Sequence, residues 1–69
     1  MTIGEIRWAM ARLTPDQQHV LALRFSQDLS LEETASMVGK SVNAVKVLQF
    51  RALAAMRRLL DEKWNNHHE

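Results

Sequence analysis

The chain of 69 residues has no cysteine, one proline and two glycines. Without thiols it can form neither a disulfide nor a thiolate metal site, and a reducing cytoplasm fits. Pro15, Gly4 and Gly39 are too few for a fold built on tight β-turns. Aromatic side chains are scarce as well, being confined to Trp8, Phe25, Phe50 and Trp64. No apolar run approaches the roughly 18 residues needed to cross a bilayer, so no membrane span is expected. The opening Met1-Thr2-Ile3-Gly4-Glu5 lacks the basic stretch and apolar core of a signal peptide. A chain this short buries only about 60% of its unfolded surface, enough for a helical core but not for a deep pocket between two lobes. No nucleophile–base pair and no phosphate-binding glycine loop is present, and the neighbouring acids Glu32 and Glu33 point apart on a helix. An enzyme is not expected, and neither is a cofactor.

The residues that are plentiful (Ala, Leu, Met, Gln, Glu, Arg) are good helix formers, so the expected fold is all-α. Hydrophobic residues make up 46% and charged residues 25%, which is ordinary globular usage. Three start signals divide the chain into four helices. Ile3, Ile6, Met10 and Leu13 recur at helical spacing and predict a first helix over about 3–12. Thr14-Pro15-Asp16-Gln17 combines a capping box with a proline at the first helical position, opening a second helix over about 15–26. Ser30-Leu31-Glu32-Glu33 is another capping box, and Leu31, Ala35 and Val38, with Met37 beside them, form the apolar stripe of a third helix. Gly39 closes that helix in the left-handed conformation. Ser41 then caps a fourth helix that meets no breaker before Asn65-Asn66; from 42 to about 62 it is roughly 30 Å long. The chain reads as a single domain over 1–69, with residues 63–69 as a flexible tail. The third and fourth helices, joined by a Gly39-Lys40-Ser41 turn, outline a helix-turn-helix over about 30–58.

Net charge is only +1, but its distribution is uneven. Residues 1–39 sum to −2 and residues 59–69 to −2, whereas residues 40–58 carry Lys40, Lys46, Arg51, Arg57 and Arg58 with no acid, a sum of +5. One helix and the turn before it thus hold all the excess positive charge, as in a DNA reader. On that helix Val45, Leu48, Gln49, Ala52, Leu53, Met56, Leu59 and Leu60 step by three and four and should pack inward. Asn43, Lys46, Val47, Phe50, Arg51, Ala54, Arg57 and Arg58 occupy much of the opposite arc. A basic face alone is usually just a solvated one. Here Val47 and Phe50 are interleaved with the cations, and that mixture suits a groove in which cations meet phosphates or guanine edges and apolar atoms meet thymine methyls. The expected DNA-contacting residues are Lys40, Ser41, Asn43, Lys46, Val47, Phe50, Arg51, Arg57 and Arg58. Trp8 and Trp64 read as core or tail-packing residues. His19 reads as a surface or half-buried residue, and His67-His68 as part of the tail with no metal.

Three segments carry a family resemblance: Ala11-Arg12-Leu13-Thr14-Pro15-Asp16-Gln17-Gln18-His19-Val20-Leu21-Ala22-Leu23-Arg24-Phe25, Leu29 to Gly39, and Ser41-Val42-Asn43-Ala44-Val45-Lys46 with Arg51-Ala52-Leu53. Over about residues 6–60 the chain resembles region 4 of bacterial RNA polymerase sigma factors, and is most similar to the extracytoplasmic-function group. The resemblance implies a four-helix domain whose recognition helix binds the −35 promoter element. It also implies docking on the flap of the RNA polymerase β subunit and, in many members, capture by an anti-sigma factor. Lys46 and Arg51 would contact phosphates or bases, and Asn43, Val47 and Phe50 would face the groove. The implied location is the bacterial cytoplasm at the nucleoid, with no membrane partner, and the isolated domain should be monomeric. The family often has a small hydroxyl residue where Val47 stands, a basic residue at Leu48 and leucine at Gln49. No region 2 precedes the domain, so the chain reads as a piece of a longer factor, unable to melt a promoter alone. Two other readings stay open: a response-regulator-type helix-turn-helix, and a protein-interaction module that uses Val47, Phe50 and Ala54 on a regulator.

Overall fold

The structure, a computed structural model, describes the backbone of residues 1–68 and the side chains of residues 1–65. Four α-helices run in order: α1 (Ile3–Met10), α2 (Pro15–Leu21), α3 (Leu31–Val38) and α4 (Val42–His68). A π-helical turn, Ala22–Ser26, extends α2. Among the described residues there is no strand.

Each of the first three helices begins with a reciprocal capping box. The Thr14 hydroxyl accepts from the Gln17 amide at 3.2 Å, while Gln17 Oε1 accepts from the Thr14 amide at 3.3 Å. Ser30 and Glu33 do the same at 3.0 and 2.9 Å. Thr2 and Glu5 form a third box, each bond 3.1 Å long, with the spacing seen in the other two. These bonds satisfy amide donors that a helix start leaves orphaned. At α4 the Ser41 hydroxyl alone caps, accepting from the Ala44 amide at 3.1 Å. Gly39 has φ 70, the left-handed conformation expected past α3.

The core has two connected halves. Val20, Ala35 and Val45 are buried in one, with Leu31, Val38, Val42 and Leu48 packed around them. Leu13, Leu21 and Ala52 are buried in the other, beside Met10, Ala55, Met56 and Leu59. The adjacent residues Val20 and Leu21 thus feed different halves, and α4 spans both. Thr34 is fully buried, and its hydroxyl donates to the Ser30 carbonyl at 2.8 Å.

Several boundaries differ from the sequence reading. Helix α1 ends at Met10 because the chain tightens there, with Arg12 and Leu13 amides bonding back only three residues to Ala9 and Met10. The second helix is not uniform to residue 26. Its last turn widens, the Gln27 amide reaching the Ala22 carbonyl and the Leu29 amide reaching Leu23, and Asp28 follows at φ 55. Arg24 lies over α4 from this turn, donating through Nε to Gln49 Oε1 at 2.8 Å and through Nη1 to the Leu29 carbonyl at 2.6 Å. Phe25 stays on the surface. Met37 and Leu53, expected to pack inward, are exposed, because three short helices leave the flanks of α3 and α4 uncovered. The stretch read as a flexible tail is helical as far as His68. Lys63, just past the expected end, holds the helix by placing Nζ 4.7 Å from the Trp8 ring centre. The imidazoles of His67-His68 and the whole of Glu69 lie outside the described residues.

Two predictions follow from these contacts. Hydrogen bonds from the Ser30 amide and hydroxyl region hold the exposed Glu33 carboxyl below its ordinary value, the amide contributing most. The unfolded chain therefore takes up the proton first, so this stabilisation is present at neutral pH and is lost as pH falls through the folded-state pKa. The protection factor of the Ser30 amide in hydrogen exchange should drop on acidification, and Glu33→Gln should flatten that dependence; an unchanged dependence in the variant would contradict the assignment. Separately, Gln49→Leu removes the acceptor of Arg24 Nε and should cost about 1 kcal/mol in a urea melt, whereas Gln49→Glu should not.

Candidate nucleic-acid interface

Helix α4 presents its two faces because Val45 and Ala52, two turns apart, have no exposed surface at all. Leu48, Gln49, Ala55, Met56, Leu59 and Leu60 flank them, half-buried. The opposite arc is open. Asn43, Lys46, Val47, Phe50, Arg51, Ala54, Arg57 and Arg58 are all exposed, and the large apolar side chains among them are far from covered: Val47 is 47% and Phe50 75% exposed. An aromatic ring that open to water, between cations on one helix face, is the most unusual feature of the surface.

The same strip is electrostatically uncompensated. Among the described residues the one ion pair joins Lys40 Nζ to Asp16 Oδ2 at 3.6 Å. Among the described residues, Lys46, Arg51, Arg57 and Arg58 form no ion pair. Lys40 and Ser41 differ from the rest of the predicted site, since Lys40 ties the turn to the start of α2 and the Ser41 hydroxyl is committed as a cap. Among the described residues no group of acids and histidines could hold a metal ion, and no helix is long and apolar enough to cross a membrane.

A second surface lies across α4 from this strip. Ile6, Met10, Leu21, Phe25 and Met56 line an open apolar groove of about 560 Å³ between α1, the π-turn and α4. Its exposed rim includes Ile6 at 40% and Phe25 at 59%. Helical period marks Ile6 and Met10 as one apolar stripe, but gives no sign of the groove itself. The groove depends on the widened turn after Leu21, which has no sequence signature.

With this geometry in hand, similarity to known proteins is specific. The family described as Sigma-70, region 4 matches residues 9–58. The ECF RNA polymerase sigma factor BldN of Streptomyces coelicolor is 48% identical over 54 residues, covering 78% of this chain and 20% of that protein. The ECF RNA polymerase sigma factor ShbA of Streptomyces griseus is 41% identical over 62 residues, covering 86% of this chain and 32% of that protein. A chain in the 1.8 Å structure of the RsbN–BldN complex superimposes with a TM-score of 0.79 at 45% identity, over 81% of this chain and 41% of that one. The chain therefore spans between a fifth and a third of the length of these two relatives. An all-α helix-turn-helix, a match from the end of α1 into α4 and this group of relatives agree: the chain belongs to the sigma-70 region 4 family and is region 4 of an ECF-type sigma factor.

Proposed function

We propose that this domain recognises the −35 promoter element through the exposed strip of α4 and docks on the RNA polymerase β-flap, directing transcription initiation as part of a sigma factor. The observation that carries the first half is the run of exposed cations with Val47 and Phe50 between them, because phosphate contacts position a protein while contacts to base edges specify. Lys46, Arg51, Arg57 and Arg58 supply the former, with Lys40 at the edge of the surface. Asn43, Val47 and Phe50 supply the latter, near the start of α4 where the Ser41 cap fixes its entry angle. For the flap, the support is the apolar groove rimmed by Ile6 and Phe25, which leaves the basic strip free for DNA. An anti-sigma factor is the remaining proposed partner. Its support is the likeness to a chain solved in the RsbN–BldN complex, together with apolar surfaces on both sides of α4.

The experiment uses a duplex enriched by the chain itself from a random-sequence pool, and a scrambled version of it. Arg51→Ala should weaken both duplexes alike and reduce the slope of log affinity against log salt by about one. Phe50→Ala should instead narrow the gap between them, with about 1–3 kcal/mol lost at the contacted base pair. Circular dichroism of each variant should match the parent, since Phe50 is 75% exposed and lies outside both halves of the core. Loss of discrimination in Arg51→Ala alone would reverse the two roles. Unchanged DNA binding in both would assign the strip to a protein partner.

A further inference from the structure

Trp8 is an aromatic residue that neither the core nor the proposed DNA face accounts for. Two cations lie over its ring: Lys63 Nζ is 4.7 Å from its centre, and the Arg12 guanidinium carbon is 3.9 Å from it. Arg12 is fixed a second time, because Nη1 donates to the Trp8 carbonyl at 2.9 Å. A surface arginine normally samples many rotamers, and ordering it costs side-chain entropy. Here that ordering already exists in the free chain, although Arg12 is exposed and has no carboxylate partner among the described residues.

Arg12 is held beside the DNA face. It borders a groove of about 450 Å³ between the α1–α2 corner and α4, lined also by Phe50, Arg51, Ala54 and Arg58. Arg51 and Arg58 stand seven residues apart, two turns along one side of α4, or roughly 10 Å. Three guanidinium groups therefore surround one groove with no acid in its lining, and the groove opens directly from the strip that carries Phe50 and Arg51. Guanidinium groups match phosphate geometry in bidentate fashion, so a phosphate is the ligand chemistry that this arrangement fits.

We propose that Arg12, stacked on Trp8, forms with Arg51 and Arg58 a preformed clamp for a backbone phosphate of the duplex lying outside the base pairs read by Asn43, Val47 and Phe50. The clamp rests on the promoter-DNA reading and carries it from α4 to the α1–α2 corner. Trp8 and Lys63 act as its positioning residues, and Arg12 becomes a DNA contact despite lying about thirty residues before the recognition helix.

The test uses the enriched duplex described above, with single phosphates neutralised in turn as methylphosphonates. In the parent chain, one position outside the specified base pairs should weaken binding when neutralised. Arg12→Gln should be insensitive at that position and should lower the salt slope by about one. A fourfold rise in salt then costs the variant about 3.5-fold less affinity than it costs the parent. Arg12→Lys should keep most of the slope. Arg58→Gln, which leaves the Trp8 stack untouched, should show the same insensitivity, so that any loss of folding in Arg12→Gln does not decide the result. A parent-like slope and parent-like methylphosphonate profile in both glutamine variants would overturn the clamp while leaving the promoter reading intact. So would an effect of these variants on binding inorganic tripolyphosphate but not on duplex. Failure of the parent chain to enrich any duplex would overturn the promoter reading, and the clamp with it.

Discussion

Everything on the surface of this domain depends on how α4 is pinned. Val45 and Ala52 lie two turns apart on one side of the helix and are wholly enclosed, one in each half of the core. Two fixed points along a helix determine both its axis and its rotation. The opposite arc is then held outward, and with it Lys46, Val47, Phe50 and Arg51. Turning α4 by a quarter would put cations into contact with Val20 and Leu21, at a desolvation cost of several kcal/mol for each buried charge. The exposed basic strip is therefore a consequence of the packing and needs no separate device to display it. Alanine at position 52 contributes by its size, since a small residue lets Leu13 and Leu21 approach the α4 backbone.

The helix starts were legible because their signals are local. Thr14 with Gln17, Ser30 with Glu33, and Ser41 each act within one turn, and Gly39 needs only its own conformational freedom at φ 70. Thr2 and Glu5 form a box of the same spacing, but the first helix is expected there from its apolar period alone, and the box goes unread. The basic strip was legible for the same reason, since helical period alone separates residues 46, 47, 50 and 51 from 45, 48 and 52.

What the sequence did not reveal arises from contacts between distant segments. Arg24 and Gln49 are 25 positions apart, and no local pattern foretells that a glutamine on the inner side of α4 accepts from an arginine of the preceding π-turn. That pairing explains how a polar residue is tolerated where leucine is common in the family. The widened turn itself has no compositional mark, and it accompanies the exposure of Phe25 beside the apolar groove. Leu53 fits the inward period as well as Met56 does. It stays exposed because the domain is too small to wrap a whole helix, and a period gives only a direction, not the extent of cover. The late end of α4 reflects Lys63 meeting Trp8 across 55 residues of chain, again a tertiary contact.

The central claim is that α4 divides the domain into a nucleic-acid face and a protein-docking groove on opposite sides. Amide chemical shifts of the labelled chain test it most directly, recorded first with the enriched duplex and then with a β-flap peptide added to the same sample. The account predicts that the duplex shifts residues 43–51 and Arg12 while leaving Ile6, Met10 and Phe25 in place, and that the peptide then moves those three without releasing the duplex. Duplex-induced shifts centred on the Ile6–Phe25 groove, or a peptide that displaces the duplex from α4, would contradict it.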